Sequence, residues 1–246
     1  MAKKNRTRTD MITDCACVIH GSGYDWTYVE KLYAMLNRHL SNGIRFHVYT
    51  EHDRSVPPHM IKHCLDDWAG ISGPKRSWWY KMQLFNAEQW QGNLLYLDLD
   101  VIVHRSMDWA PDADISNFWT IKDFRYLQNP RYECMNSSLM WWNVPKFDWV
   151  YRRFIDQGPG NISTRYQGDQ DFLHATIGHN ERRYYDNWRV QSWRWQAHDG
   201  GFDFTSRKTK APGTGTKVSN DSSVLVFHGK PKPHEIKDPL VVTLWA

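Results

Sequence analysis

The sequence predicts an α/β fold with a mainly parallel central sheet flanked by helices. Three observations predict it. The chain opens on a strand–helix–strand pattern. An apolar run, Asn93-Leu-Leu-Tyr-Leu97, ends in Asp98-Leu-Asp100 and is followed at once by Val101-Ile-Val103. A last apolar strand, Ser223-Val-Leu-Val-Phe227, runs straight into His228-Gly-Lys-Pro-Lys-Pro233.

The elements follow in order. Asp14 to His20 reads as the first strand, and Gly21-Ser-Gly-Tyr24 as a glycine-containing turn. From Trp26 to His39, Trp26, Val29, Leu32, Tyr33 and Leu36 recur at helical spacing, continued by Leu40. Ser41-Asn-Gly43 stops that helix with turn chemistry. Ile44 to Tyr49 alternates as a second strand, so the pair is parallel with a right-handed crossover. Val56-Pro-Pro58 breaks the pattern, Ile61 to Leu65 reads as a short helical turn, and Ile71 to Pro74 as loop. Ser77 to Trp90 reads as helix and leads into the strand Leu94–Leu97. Phe118–Ile121 and Ser138–Trp142 are short strands, and Phe147–Ile155 is a helix. Gln167 to Ile177 opens another helix, with Asp169 in its first turn. Thr205 to Ser223 is polar, basic and rich in Gly, Ser and Thr, the composition of a mobile loop and a candidate lid. No internal repeat is present.

Length and composition bound the function. A chain of 246 residues suits one large domain. With 41% hydrophobic and 24% charged residues it reads as a globular, soluble protein. No apolar run approaches the roughly 18 residues of a membrane span. The start, Lys3-Lys4-Asn5-Arg6-Thr7-Arg8, is basic without an apolar segment behind it, so residues 1–13 read as a solvated, disordered tail and not as a secretion signal. A net charge of +4 is too small to argue for nucleic acid as a partner. Four cysteines, Cys15, Cys17, Cys64 and Cys134, show no zinc spacing, which implies reduced thiols and a cytoplasmic location. Tryptophan is the outlier at 14 residues, clustered as Trp78-Trp79, Trp141-Trp142 and Trp188, Trp193, Trp195. Indole faces pack cores, and they also stack on sugar rings. A carbohydrate-binding module is therefore the rival reading. Oligomeric state is not legible.

The chemistry concentrates at three places. Residues i and i+2 of a strand share a side, so Asp98 and Asp100 converge at the end of a buried strand. Open α/β sheets bind ligands at such ends. Two carboxylates there repel each other and suit Mg2+ or Mn2+, which commonly hold nucleotide phosphates. Phosphatases of the haloacid dehalogenase type also carry Asp-x-Asp, but on the first strand and with a small hydroxyl residue where this chain has Ile102. His228, also at a strand end, would complete an Asp/Asp/His set suited to Mn2+. Lys230 and Lys232, stiffened by Pro231 and Pro233, are placed to neutralise phosphate. Gly168-Asp169-Gln170-Asp171 is either a helix start with first-turn acids or a ligand-contact cluster.

The order of these motifs, with Met135-Asn136-Ser-Ser-Leu-Met-Trp-Trp-Asn143 between them, resembles glycosyltransferase family 8 from about Val18 to His234. That family implies a single GT-A domain over 14–246, a nucleotide-sugar donor (usually a UDP-sugar), Mn2+, a hydroxyl acceptor such as a glycan, and retention of anomeric configuration. It implies Asp98, Asp100 and His228 as metal ligands and Lys232 on the diphosphate, joined by Lys230. Asp169, Gln170 and Asp171 would be catalytic residues beside the donor sugar. Asn136 and Lys81 would contact the donor, with Asp98 and Leu99. The turn carrying His20, Gly21, Tyr24 and Asp25 would meet the base. The usual family ending is His-x-x-Gly-x-x-Lys-Pro-Trp. Here His228 to Lys232 is two residues shorter, and His234 stands in place of Trp.

Overall fold

The computed structural model describes residues 12–72, 74–200, 202–203, 208–209 and 215–246. Residues 1–11 of the expected tail lie outside the described residues, and Ile12 and Thr13 already belong to the first strand. Most of the expected lid, including 204–207 and 210–214, also lies outside them.

β1 (Ile12–Val18), α1 (Trp26–His39) and β2 (Gly43–Thr50) form the expected parallel unit. β3 (Ile61–Cys64) extends it at the edge, parallel to β2. The sequence predicted a helical turn there. Four residues are too few to distinguish the two periods, and pairing with β2 decides. A 3-10 segment from Pro74 to Phe85 takes the place of the helix expected to Trp90. Asn86 ends it, its side-chain oxygen accepting from the amide of Glu88 at 2.9 Å.

β4 (Asn93–Leu97) pairs parallel with β1 on the side opposite β2. β5 (Val101–Val103) leaves the main sheet. β6 (Phe118–Lys122) and β7 (Met135–Asn143) are antiparallel to each other, and β7 is antiparallel to β4. α2 (Val144–Asp156), α3 (Pro159–Arg165) and α4 (Asp169–Thr176) follow. α3 was not expected, and Pro159 sits where a first turn tolerates it. β8 (Arg182–Tyr184) runs parallel to β6 at the far edge. The seven-stranded order is β3-β2-β1-β4-β7-β6-β8. β9 (Val190–Ser192), a two-residue pairing of β10 (Phe202–Asp203) with β11 (Lys208–Thr209), β12 (Val224–Val226) and α5 (Pro239–Leu244) complete the chain. β5, β12 and β9 make a separate three-stranded sheet.

Strand alternation divides the core into two layers. Cys15, Cys17, Leu95, Leu97 and Trp141 face Val29, Leu32 and Leu36 of α1. Ala16, Leu94, Tyr96, Met140 and Trp142 face Phe85, Phe147 and Phe154 on the other side. Trp79, Trp141, Trp142 and Trp193 are buried, so most of the clustered tryptophans are core. Trp78 and Trp188 are exposed. The four cysteines are free thiols, Cys15 and Cys17 fully buried.

This topology creates one special place. From β1 the sheet grows one way through β2 to β3, and the other way through β4. β1 and β4 run parallel and end side by side, at the point where the strand order reverses. A crevice opens beyond strands that diverge in this way.

Candidate active site

The crevice is lined by Val18, His20 and Tyr24 after β1 and by Tyr96, Asp98, Leu99 and Asp100 at the end of β4. Ser77, Trp78 and Lys81 close its third side, around a volume of about 190 Å³. His20 stacks on Tyr80, with ring centroids 4.2 Å apart. Gly21 has φ +68°, a left-handed turn that glycine adopts without strain. Its amide donates to Glu51 and its carbonyl accepts from Arg54, so the turn is clamped to the end of β2. Burial works against the Glu51 carboxylate, but Arg54 and the Gly21 amide outweigh it and hold its pKa at about 2.

The two strand-end aspartates are each met by a lysine. The amide of Asp98 donates to the carbonyl of Ser138 at 2.9 Å, and the Tyr96 hydroxyl donates to Asp98 Oδ1 at 2.7 Å. Lys81 Nζ lies 2.8 Å from Asp98 Oδ1 and 3.3 Å from Asp169 Oδ2. It also donates to Ser137 Oγ at 3.1 Å, and that hydroxyl donates on to Asp169 Oδ2 at 2.7 Å. Burial alone would lower the Lys81 pKa, yet Asp169 and Asp98 raise it. The same contacts lower Asp98 against its burial, while burial dominates at Asp169 and raises it. Asp100 accepts from the Tyr24 hydroxyl at 3.0 Å and from the ammonium of Lys232. Burial and the neighbouring Asp98 still push the Asp100 carboxyl up.

The expected third ligand lies close by backbone and apart by side chain. β12 pairs antiparallel with β5, and the amide of Phe227 donates to the carbonyl of Asp100 at 3.0 Å. The next residue is His228. Its Nε2 bonds Ser192 Oγ at 2.6 Å on the neighbouring β9. Its ring stacks on Phe124 at 5.2 Å. Burial, with Arg194 and Lys232 nearby, pushes its pKa down to about 4. Among the described residues, no three His, Cys, Asp or Glu side chains form a group that holds a metal ion. The oxygens of Asp98 and Asp100 fit a hard divalent cation in type and charge. A neutral imidazole fits as a further donor in chemistry, but in this structure it is turned to Ser192.

The other expected contacts divide. His20, Tyr24, Lys81 and Leu99 line the crevice, and Gly21 shapes its turn. Asp25 is exposed and caps α1, accepting from the Thr27 amide at 2.9 Å. Asn136 accepts from the Ser138 amide at 2.9 Å, which holds the start of β7. Gln170 Nε2 donates to Asp123 Oδ2 at 2.7 Å. Asp171 is half-buried, in the field of Arg125 and His174. Lys230 is exposed. Asp123, Ser137 and Ser192 orient Gln170, Asp169 and His228, and none of the three was expected as a site residue. Asp123 carried a signal, since it follows a strand end much as Asp98 does.

No model of a known protein family matches the chain, and no curated protein matches it. Solved structures do. An active-site mutant of LgtC superposes with TM-score 0.64 at 13% identity, over 94% of this chain and 95% of that one. The apo glycosyltransferase GlyE of Streptococcus pneumoniae TIGR4 gives 0.64 at 14%, over 96% of this chain and 59% of that one. The bifunctional glycosyltransferase WbbM gives 0.60 at 10%, over 98% and 52%. At these identities the likeness defines the fold, the GT-A architecture of these glycosyltransferases.

Proposed function

We propose that this protein is a glycosyltransferase of the family 8 type, moving a sugar from a nucleoside-diphosphate donor, UDP-linked by the motif resemblance, to a hydroxyl acceptor. The observation that carries the proposal is the pairing of Asp98 and Asp100 with Lys81 and Lys232 at the switch point of a GT-A sheet. A solved complex of the galactosyltransferase LgtC with donor and acceptor sugar analogs, at TM-score 0.60, is consistent with it.

The charge pattern suits a diphosphate leaving group. When the C1–O bond breaks, negative charge grows on the diphosphate and the ring becomes oxocarbenium-like. Lys232 is the ammonium placed to meet that charge. Lys81, buried and charged, holds Asp98 and Asp169 in position. Mn2+ held by Asp98 and Asp100, with His228 as its expected third ligand, would act as a Lewis acid toward the diphosphate. Gln170, fixed by Asp123, is the polar group nearest in sequence to Asp169 and is assigned to the sugar's face. An amide is a poor nucleophile. The route that fits is attack by the acceptor hydroxyl from the leaving-group side, a new C1–O bond forming as the old one breaks, with the hydroxyl proton passing to the departing diphosphate oxygen. That route retains configuration.

The test is turnover of a panel of UDP-, GDP- and dTDP-sugars with Mn2+ and with EDTA. Hydrolysis or transfer of one nucleotide class is expected, lost on chelation. Asp98→Asn and Asp100→Asn should each lower it at least ~100-fold, since both replace a charge aimed at the reacting group. Retained configuration by NMR of the product checks stereochemistry. Undiminished turnover in both variants sinks the assignment.

A further inference from the structure

We infer that Lys232 is the resident counter-ion of the cation site, so that a divalent cation and a nucleotide diphosphate enter as a pair. The inference rests on the proposed metal-dependent transfer. It concerns what the protein does before either ligand arrives.

The two lysines of the crevice are not equivalent. Lys81 is 9% exposed and engaged on three sides by Asp98, Asp169 and Ser137. Lys232 is 21% exposed and comes from the rim, on a segment held by Glu235, whose carboxylate accepts the Lys232 amide at 2.6 Å. Its ammonium lies on Asp100 Oδ2, 5.5 Å from the centre of the Tyr24 ring, and has the carbonyl of Phe227 at a long 3.4 Å as its other partner. Among the described residues it has one strong partner, and a long chain so held can leave it. Lys81 cannot leave without stranding buried Asp169 and part-buried Asp98 together.

Three carboxylates, Asp98, Asp100 and Asp169, face these two ammoniums. With both lysines in place the cluster carries one net negative charge. A divalent cation alone meets the Lys232 ammonium on the very oxygen it needs, and like charges in contact repel strongly. A diphosphate alone would draw Lys232 away and leave Asp100 unpaired beside Asp98. Together, the diphosphate offers Lys232 a new partner and frees Asp100, while the cation offsets the carboxylates. Each ligand therefore raises affinity for the other, and the coupling is reciprocal. The same exchange would put Lys232 on the leaving group, where transfer needs it.

Binding of Mn2+ to the intact protein, followed by loss of the free-ion EPR signal, tests this without turnover. Wild type should bind Mn2+ weakly alone and at least ~10-fold more tightly with UDP. Lys232→Met should bind Mn2+ alone ~10-fold or more tightly than wild type, because the competing charge is gone. Its gain on adding UDP should be smaller. Lys237→Met, which removes an exposed charge on the same segment, should leave Mn2+ affinity as it was. Lys232→Gln gives a second chance at a folded variant. Unchanged or weaker Mn2+ binding in folded Lys232→Met and Lys232→Gln overturns the counter-ion role. No Mn2+ binding by wild type or variants, with or without UDP, instead overturns the metal-dependent function itself.

Discussion

At the scale of single residues, Lys81 shows how strongly this site depends on charge pairing. Its ammonium is buried, and Asp98, Asp169 and Ser137, with the Tyr96 ring centre 5.4 Å away, make that tolerable. Lys81→Met would leave buried Asp169 and part-buried Asp98 short of their shared cation. Removing one partner from a buried ion cluster typically costs about 3–5 kcal/mol. Lys81→Met is therefore expected to lower the urea midpoint clearly. Adding Asp169→Asn to it should recover part of the loss, since one unpaired charge is then removed. A double variant no more stable than Lys81→Met would contradict this account. The sequence marked Lys81 only through motif order, because nothing local to Trp79-Tyr80-Lys81 reveals which carboxylates it will meet. Asp98 and Asp100 were legible from composition and period alone. Two carboxylates closing an apolar strand repel each other unless positive charge lies beside them, so the pair marks a charged site wherever the chain folds.

At the scale of elements, legibility tracked length and exposure of one face. α1 and α2 carry a clear apolar stripe, and their periodicity located them to within a few residues. β7 is buried over eight of its nine residues, so its nature came from its apolar run and not from alternation. β3 failed because pairing decides a four-residue segment. The layer between β7 and the 3-10 segment is aromatic: Trp142 stacks on Phe85 at 4.8 Å and lies 6.0 Å from Phe118. Trp142 is fully buried, whereas Trp78 is 42% exposed at the crevice. Trp142→Ala should thus cost about 3–5 kcal/mol by cavity formation. Trp78→Ala should cost under about 1 kcal/mol, as for most exposed positions. Denaturant unfolding of the two variants checks the contrast. Similar losses would show that the tryptophan clusters are not divided between core and crevice as described.

At the scale of the whole molecule, the site is an assembly of distant segments, and that is why half of it was hidden. The turn after β1, the end of β4, the start of β7 and the segment after β12 meet only because β4 joins β1 and β12 joins β5. Strand order is a tertiary fact that no local pattern carries. The orientation of His228 belongs here too, since Ser192 and Phe124 come from two other parts of the chain. The same global packing buries neutral imidazoles, and stability should report it through pH. Burial first, helped by His47, lowers His63 to about 4, and burial with Arg105 and His39 lowers His104 to about 4. Their ordinary value is 6.5. Between pH 6.5 and 4 the unfolded chain takes up protons that the folded protein refuses. The unfolded state then binds more protons, so stability rises with pH across this window and is lost as pH falls. His63 keeps part of its surface in water and His104 is buried, and each contributes on the order of 1 kcal/mol. Asp100 and Asp169, raised by burial, have the opposite sign, so the comparison must be made by substitution. His104→Gln is expected to flatten the fall in unfolding free energy between pH 7 and pH 5, measured by urea titration at each pH. His63→Gln should flatten it further in the double variant. Parallel slopes in all three proteins would mean that these rings are protonated in the native fold, and that the interior around β3 and β5 is wetter than its packing shows.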